Sequence, residues 1–288
     1  MFTRDALAAD FRALGLTPGG IVMLHASVRA VGEVLGGPDQ IHLALGDALG
    51  PDGTVMMYAS CPAHMDEVGR GELSADEEAA ILAGLPTFDP ATARAARDNG
   101  YLVECFRTWP GTRWTPHPTR FVARGGRAAW LVDGPQPWDW AMGAGSALER
   151  LLEAEGQIVL LGSDLDQVTF LHYAEHVADF PDKRIVRFRT PMLVDGVRVW
   201  RESAEVDSGY GAHAHWPDRL FGRIVRATLA AGVGVQVGTV GRATTLRLDA
   251  RALHAVAVRA MEAIARDASA ADRLLPPDPP DAPVLPAP

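Results

Sequence analysis

The stretch Gln157-Ile158-Val159-Leu160-Leu161-Gly162-Ser163-Asp164-Leu165-Asp166-Gln167-Val168-Thr169-Phe170-Leu171-His172-Tyr173-Ala174-Glu175-His176 decides how the rest of the chain reads. Its first five residues are a short apolar run closed by Gly162, the pattern of a buried strand, and Thr169 onward reads as the first turns of a helix. Ligands of open α/β sheets collect at the carboxyl ends of strands, which is where the polar cluster after Gly162 falls. On the helix His172 and Glu175 lie three apart and share one face, so the carboxylate can orient the imidazole as a general base.

Two other readings compete for this segment. His172-Tyr173-Ala174-Glu175-His176 matches the H-x-x-E-H pattern of inverted zinc peptidases, in which both histidines bind zinc and the glutamate activates water. That reading needs an acidic ligand well downstream, and no glutamate occurs between Glu205 and Glu262. The other is a solvated helix start whose Thr169 caps the first turn and whose charges pair locally.

Working outward, the same alternation recurs: helix near 4–15, strand 20–25, helix 38–49, strand 53–58, helix 99–107, strand 157–161, helix 168–179. Residues 185–201 change character, with alternating Arg184-Ile185-Val186-Arg187-Phe188-Arg189 and a second strand turned back at Asp195-Gly196. A helical 217–231 follows, then a strand pair around Gly241 and an alanine-rich helix over 250–267. The expected fold is α/β: one layered α/β/α domain over residues 1–270, its central sheet mixed and largely parallel, with a small antiparallel β unit in the second half. From Leu275 the run Pro276-Pro277-Asp278-Pro279-Pro280-Asp281-Ala282-Pro283 predicts a mobile, disordered tail over 275–288.

Composition narrows the function. The 288 residues are 48% hydrophobic, yet no apolar run is long enough to span a bilayer, which points to a large core and no membrane partner. Met1-Phe2-Thr3-Arg4-Asp5 leads straight into an amphipathic helix, unlike a secretory signal, so the expected location is cytoplasmic. Two cysteines, Cys61 and Cys105, exclude a disulfide framework and a four-cysteine zinc site. With 27 Lys+Arg against 36 Asp+Glu the net charge is −9, unfavourable for nucleic acid and compatible with a cationic ligand.

A second constellation stands at the front: Ile21-Val22-Met23-Leu24-His25-Ala26-Ser27-Val28-Arg29-Ala30-Val31-Gly32, then Gly36-Gly37-Pro38. A strand enters a loop bearing a hydroxyl, an arginine and several glycines, a composition suited to an anionic group. It lacks both G-x-G-x-x-G and G-x-x-x-x-G-K-[ST], which disfavours NAD and ATP. His213 and His215 alternate without an evident third ligand and read as loop residues.

Together these segments resemble one family, the antibiotic N-acetyltransferases typified by aminoglycoside 3-N-acetyltransferases. The family's H-x-S-h-(K/R)-x-h-G loop appears as His25 to Gly32, and its G-G-T-h-V-M strand as Asp52-Gly53-Thr54-Val55-Met56-Met57. The likeness continues through Thr87-Phe88-Asp89-Pro90, Gly100 to Arg107, Pro110, His117-Pro118 and Gly145-Ser146 to the signature Leu160-Leu161-Gly162, Thr169, Leu171-His172 and Ala174-Glu175. It runs in order from about residue 5 to 268. Four departures stand out: Trp114 replaces an arginine of R-S-x-H-P, Asp164 replaces a glycine, Phe170 replaces a threonine, and residues 61–85 look like an insertion.

The resemblance implies a fold distinct from the small GNAT acetyltransferases and acetyl transfer from acetyl-CoA to the 3-amine of a 2-deoxystreptamine aminoglycoside, without a metal. On that reading His172 is the base, Glu175 sets its tautomer, and Thr169 or nearby backbone N–H groups steady the oxyanion. Ser27, Val28, Arg29, Val31 and Gly32 hold the CoA, with Ser146 a further contact. Asp66, Glu67, Glu104, Asp164 and Asp207 are the acids expected near the acceptor's ammonium groups. The implied protein is a monomer or homodimer and confers antibiotic resistance; the same fold acting on another amine metabolite stays open, as does the zinc reading of His172, Glu175 and His176.

Overall fold

The computed structural model describes residues 1–61, 68, 71–207 and 209–279. The first half runs α1 (Arg4–Ala13), β1 (Ile21–Ala26), α2 (Val28–Val31), α3 (Asp39–Leu49), β2 (Thr54–Tyr58), α4 (Ala75–Gly84) and α5 (Tyr101–Thr108). Then come β3 (Arg113–Trp114), β4 (Phe121–Gly125), α6 (Ala128–Val132), α7 (Ala147–Glu153), β5 (Gln157–Leu161) and α8 (Leu171–Val177). The second half adds β6 (Ile185–Val194), β7 (Val197–Val206), α9 (Leu220–Ala231), β8 (Val235–Val240), β9 (Ala243–Asp249), α10 (Ala250–Arg266) and α11 (Ala270–Leu274). Among the described residues, no helix is long and apolar enough to cross a membrane.

Seven strands form one sheet in the order β3-β4-β2-β1-β5-β9-β8, and β6 and β7 form a separate antiparallel ribbon. The sheet is mixed, as expected: β2, β1 and β5 run parallel at its centre, and antiparallel β4 and β9 flank them. Alternation along the strands explains the layering, because successive side chains leave opposite faces. Met23, Met56, Ile158 and Leu160 enter one core with α7, α8, α9 and α10, whereas Val22, Leu24, Val55, Val159 and Leu161 enter another with α1, α3 and α5.

Two parallel strands, β1 and β5, therefore end side by side, and their loops are held together by Gly162. It has φ 61, and a Cβ there would come within 2.4 Å of the Ala30 side chain, so only glycine lets α2 lie against the end of β5. Ser27 N–H donates to the Leu161 carbonyl at 2.9 Å, completing the join.

The chain departs from expectation at its C-terminal end. Residues 275–279, read as the start of a mobile tail, are docked: Leu275 is buried, and the Asp278 carboxylate is buried against Arg219 and Arg226 on α9. Proline prevents regular hydrogen bonding there but does not prevent an ion pair from anchoring the segment.

Candidate active site

His172 opens α8, and the i to i+3 spacing does what the sequence implied. Its Nδ1–H donates to Glu175 Oε2 at 2.7 Å. Glu175 is only 2% exposed, which excludes a solvated helix start. The helix has no side-chain cap, and Thr169 instead precedes it in a turn, its carbonyl accepting from His172 N–H at 3.1 Å. A buried carboxylate needs further donors, and Trp216 supplies one: its Nε1–H donates to Glu175 Oε1 at 3.0 Å. The His172 ring meets the edge of Phe221 at 4.8 Å between centroids. Nδ1 is thus committed to Glu175, leaving Nε2 for substrate.

Two cavities share His172. The larger, about 1070 Å³, is lined by the β1 loop (His25, Ser27, Val28, Arg29), by the β5 loop (Gly162, Asp164, Thr169) and by Arg219 and Phe221. The smaller, about 570 Å³, lies under the ribbon and is lined by His117, His176, Phe188, Ser203, Glu205 and Asp207 among others. Tyr58, Asp98, Asn99, Gly209 and Tyr210 also line both. Burial is the main reason the His25 imidazole is held down at about 4, with His172 adding to it, and its Nε2 is buried without a partner in the structure.

The structure sorts the expected residues by place. Ser27, Val28 and Arg29 reach the larger cavity, but the Val31 side chain is core, and Gly32 backs onto the Arg242 guanidinium, 2.6 Å from where a Cβ would stand. Ser146 is fully buried and lines neither cavity; its hydroxyl accepts from Leu148 and Glu149 N–H and caps α7. Glu104 also lines neither: Arg107 and Arg94 hold its carboxylate at 2.6 and 2.7 Å, Ala95 N–H donates to it, and Arg107 chiefly lowers it to about 2. A carboxylate so occupied is not available to an acceptor ammonium. Asp164 stands on the larger cavity, paired with Arg219 at 2.5 Å, which lowers its carboxyl against the opposing effect of burial. Asp207 stands on the smaller and accepts from Gly209 and Tyr210 N–H. Asp66 and Glu67 lie outside the described residues.

Sequence reasoning missed Trp216, Phe221, Asp98 and Glu205. The Glu205 carboxylate accepts from Ala141 N–H at 2.7 Å and lies 3.1 Å from His176 Nε2, while His176 Nδ1–H donates to the His172 carbonyl at 2.8 Å. Both nitrogens of His176 are therefore engaged, and His172 Nδ1 is engaged with the very glutamate that the zinc pattern would leave for water. Among the described residues, no group of three or more His, Cys, Asp or Glu side chains is arranged to hold a metal ion. His213 sits against Phe180 and Trp216 and His215 bonds the Ile264 carbonyl, as loop residues do.

A family model described as aminoglycoside 3-N-acetyltransferase matches residues 23–262. Aminoglycoside N(3)-acetyltransferase III of Pseudomonas aeruginosa is 40% identical over 260 residues, covering 90% of this chain and 93% of that protein. The solved structure of AAC-IIIb, a binary complex with CoASH, superposes with a TM-score of 0.84 at 38% identity, covering 96% of this chain and 99% of that one. AAC-VIa bound to sisomicin superposes with a TM-score of 0.83 at 35% identity over 91% and 98% of the two chains.

Proposed function

The chain belongs to the aminoglycoside 3-N-acetyltransferase family, and from that membership we propose that it moves the acetyl group of acetyl-CoA to the 3-amine of a 2-deoxystreptamine aminoglycoside, with His172 as general base. The observation that carries this reading is His172, on the lining of both cavities, with its Nδ1 held by Glu175. The larger cavity suits acetyl-CoA: it offers the Ser27 hydroxyl and Arg29 to phosphate oxygens and Val28 to an apolar arm. The smaller suits a polycation, with Asp98 and Asp207 on its lining. The likeness to a CoASH complex and to a sisomicin complex supports both assignments.

Acetyl-CoA supplies an activated carbonyl and a good leaving thiolate. An aminoglycoside amine is largely protonated near neutrality and cannot attack until it has lost a proton. The ammonium first gives one proton to solvent; His172 Nε2 then takes a second from the neutral amine as the new C–N bond forms, a function worth roughly 10²–10⁴ in rate. Glu175 keeps the ring proton on Nδ1 and steadies the imidazolium, and Trp216 keeps Glu175 in place. Thr169, on the lining of the larger cavity, is the nearby hydroxyl for the charge developing on the carbonyl oxygen. His172 then returns a proton to the departing thiolate, so no covalent acyl-enzyme is required.

The test is release of free CoA thiol from acetyl-CoA across gentamicin-, kanamycin-, neomycin- and apramycin-type acceptors, with the modified nitrogen located by NMR. Thiol release with a 3-N-acetyl product is the expected result. No release with any acceptor would move the reading to another amine, and an acetyl group on a different nitrogen would overturn the regiochemistry.

A further inference from the structure

The proline-rich segment after α11 carries a carboxylate, Asp278, with no motif around it. Asp278 is buried, and its side chain is 1% exposed. Arg219 Nη2 donates to its Oδ2 at 2.7 Å and Nε at 3.0 Å, Arg219 Nε also reaches the Asp278 carbonyl at 2.8 Å, and Arg226 Nε donates to Oδ1 at 2.5 Å. Arg223 binds the same segment through the Ala271 and Leu275 carbonyls. Residues 222, 223 and 226 lie on one face of α9, Arg219 stands just before its first turn, and together they receive the segment. Gly222 is the floor of the slot: a Cβ there would lie 1.8 Å from Asp278 Oδ2, so the carboxylate occupies the space a side chain would fill.

The grip extends to the larger cavity. Arg219, in the left-handed region at φ 53, uses the Nη2 that binds Asp278 to hold Asp164 at 2.5 Å as well. Asp166 of the same loop accepts from Gly222 N–H at 2.9 Å. Asp164, Asp166, Arg219, Leu220 and Phe221 all line that cavity. Asp164 stands where the family pattern has a glycine, so the link between the β5 loop and the C-terminal segment depends on a residue by which this chain departs from that pattern.

The geometry points to Asp278 as a positioning residue: through Arg219 it fixes Asp164 and the first turn of α9, and so sets the wall of the cavity that takes acetyl-CoA. This rests on the assignment of that cavity made above. Removing the Asp278 charge frees Arg219, a side chain with many rotamers, to swing into the cavity or onto Asp164 alone.

The full chain carrying Asp278→Asn and, separately, Gly222→Ala tests it. The first removes the charge. The second evicts the carboxylate with its charge intact, and alanine itself favours the helix. Each variant is expected to raise the acetyl-CoA KM and the calorimetric Kd for CoA about tenfold, the low end for losing a hydrogen bond to a charged group, with kcat and the acceptor KM within about twofold. The double variant should be no worse than either single one, because both break the same contact. Unchanged CoA affinity in folded Gly222→Ala overturns the proposal. So does a loss that falls equally on kcat and both KM values in step with Tm, which is what a purely structural role would give. A wild-type protein that binds no CoA would instead refute the cavity assignment.

Discussion

Replacing Glu175 with glutamine exchanges one oxygen for an NH2 group at nearly constant shape and so isolates the electrostatics of the proposed base. Trp216 dictates the outcome. Its Nε1–H needs an acceptor, so the amide oxygen stays on the indole at about the 3.0 Å now seen for Oε1, and the NH2 turns to His172 Nδ1. Nδ1 must then accept, the ring proton moves to Nε2, and the nitrogen left for substrate loses its lone pair. The imidazolium also loses its counter-charge. At the 2.7 Å now separating Nδ1 and Oε2 the gross attraction is roughly 6 kcal/mol at an effective dielectric near 20. Net of solvation, a hydrogen bond to a charged group is worth roughly 1.5–3 kcal/mol, or about 10- to 150-fold in rate. Loss of the base itself is worth about 10²–10⁴, and the two losses overlap because the pair acts as a unit. The expected fall in kcat is therefore about 10³, with both KM values within about threefold. Steady-state thiol release at saturating substrates measures it. A kcat within about fivefold of wild type would refute the assignment of His172 and Glu175 as a working pair. Trp216→Phe keeps the carboxylate and removes only its anchor, so its kcat should fall by about tenfold and lie between the two.

Ser146→Ala should cost about 1 kcal/mol in denaturant unfolding by uncapping α7 while leaving the acetyl-CoA KM unchanged; a raised KM at unchanged stability would return Ser146 to the CoA site. Glu104→Gln should make stability less dependent on acid pH. The folded carboxyl is held at about 2 against an ordinary value near 4.5, so its contribution is complete above about pH 4.5 and lost as pH falls toward 2. Urea midpoints of wild type and variant should thus differ at pH 7 and converge by about pH 2, and a constant gap would contradict the pairing with Arg107 and Arg94.

The legible parts of the sequence were those set by near neighbours along the chain. The apolar runs of β1, β2 and β5, the Asp195-Gly196 turn of the ribbon and the His172–Glu175 spacing all follow from periods of two or of three to four residues. Local signals were also passed over. Ser74 and Glu77 form a capping box that starts α4, inside a segment read as an insertion, and Glu104 to Arg107 repeats the spacing of His172 to Glu175. β4 is short and antiparallel, and its neighbour β3 has two residues, too few for a period to show. Other features had no local trace. Trp216 lies 41 residues from the glutamate it holds, and Asp278 lies 59 from Arg219 inside a proline run whose composition argued for disorder. Glu104 and Ser146 matched the family pattern and each has an architectural partner, Arg107 and the first turn of α7, a use that a motif does not separate from chemistry.

Among the described residues, the ribbon of β6 and β7 is joined to the seven-stranded sheet by no strand pairing, yet Val186, Phe188, Ser203 and Glu205 from it line the smaller cavity. On the proposed assignment, the catalytic pair and the cofactor wall belong to the sheet and its loops, while part of the surface that selects the acceptor belongs to an appendage. Substitution at Val186 or Phe188 would change that surface without touching the hydrogen bonds that join Glu205 to Ala141 and His176. An acetyltransferase divided in this way can change its acceptor by drift in one hairpin, without rebuilding its engine.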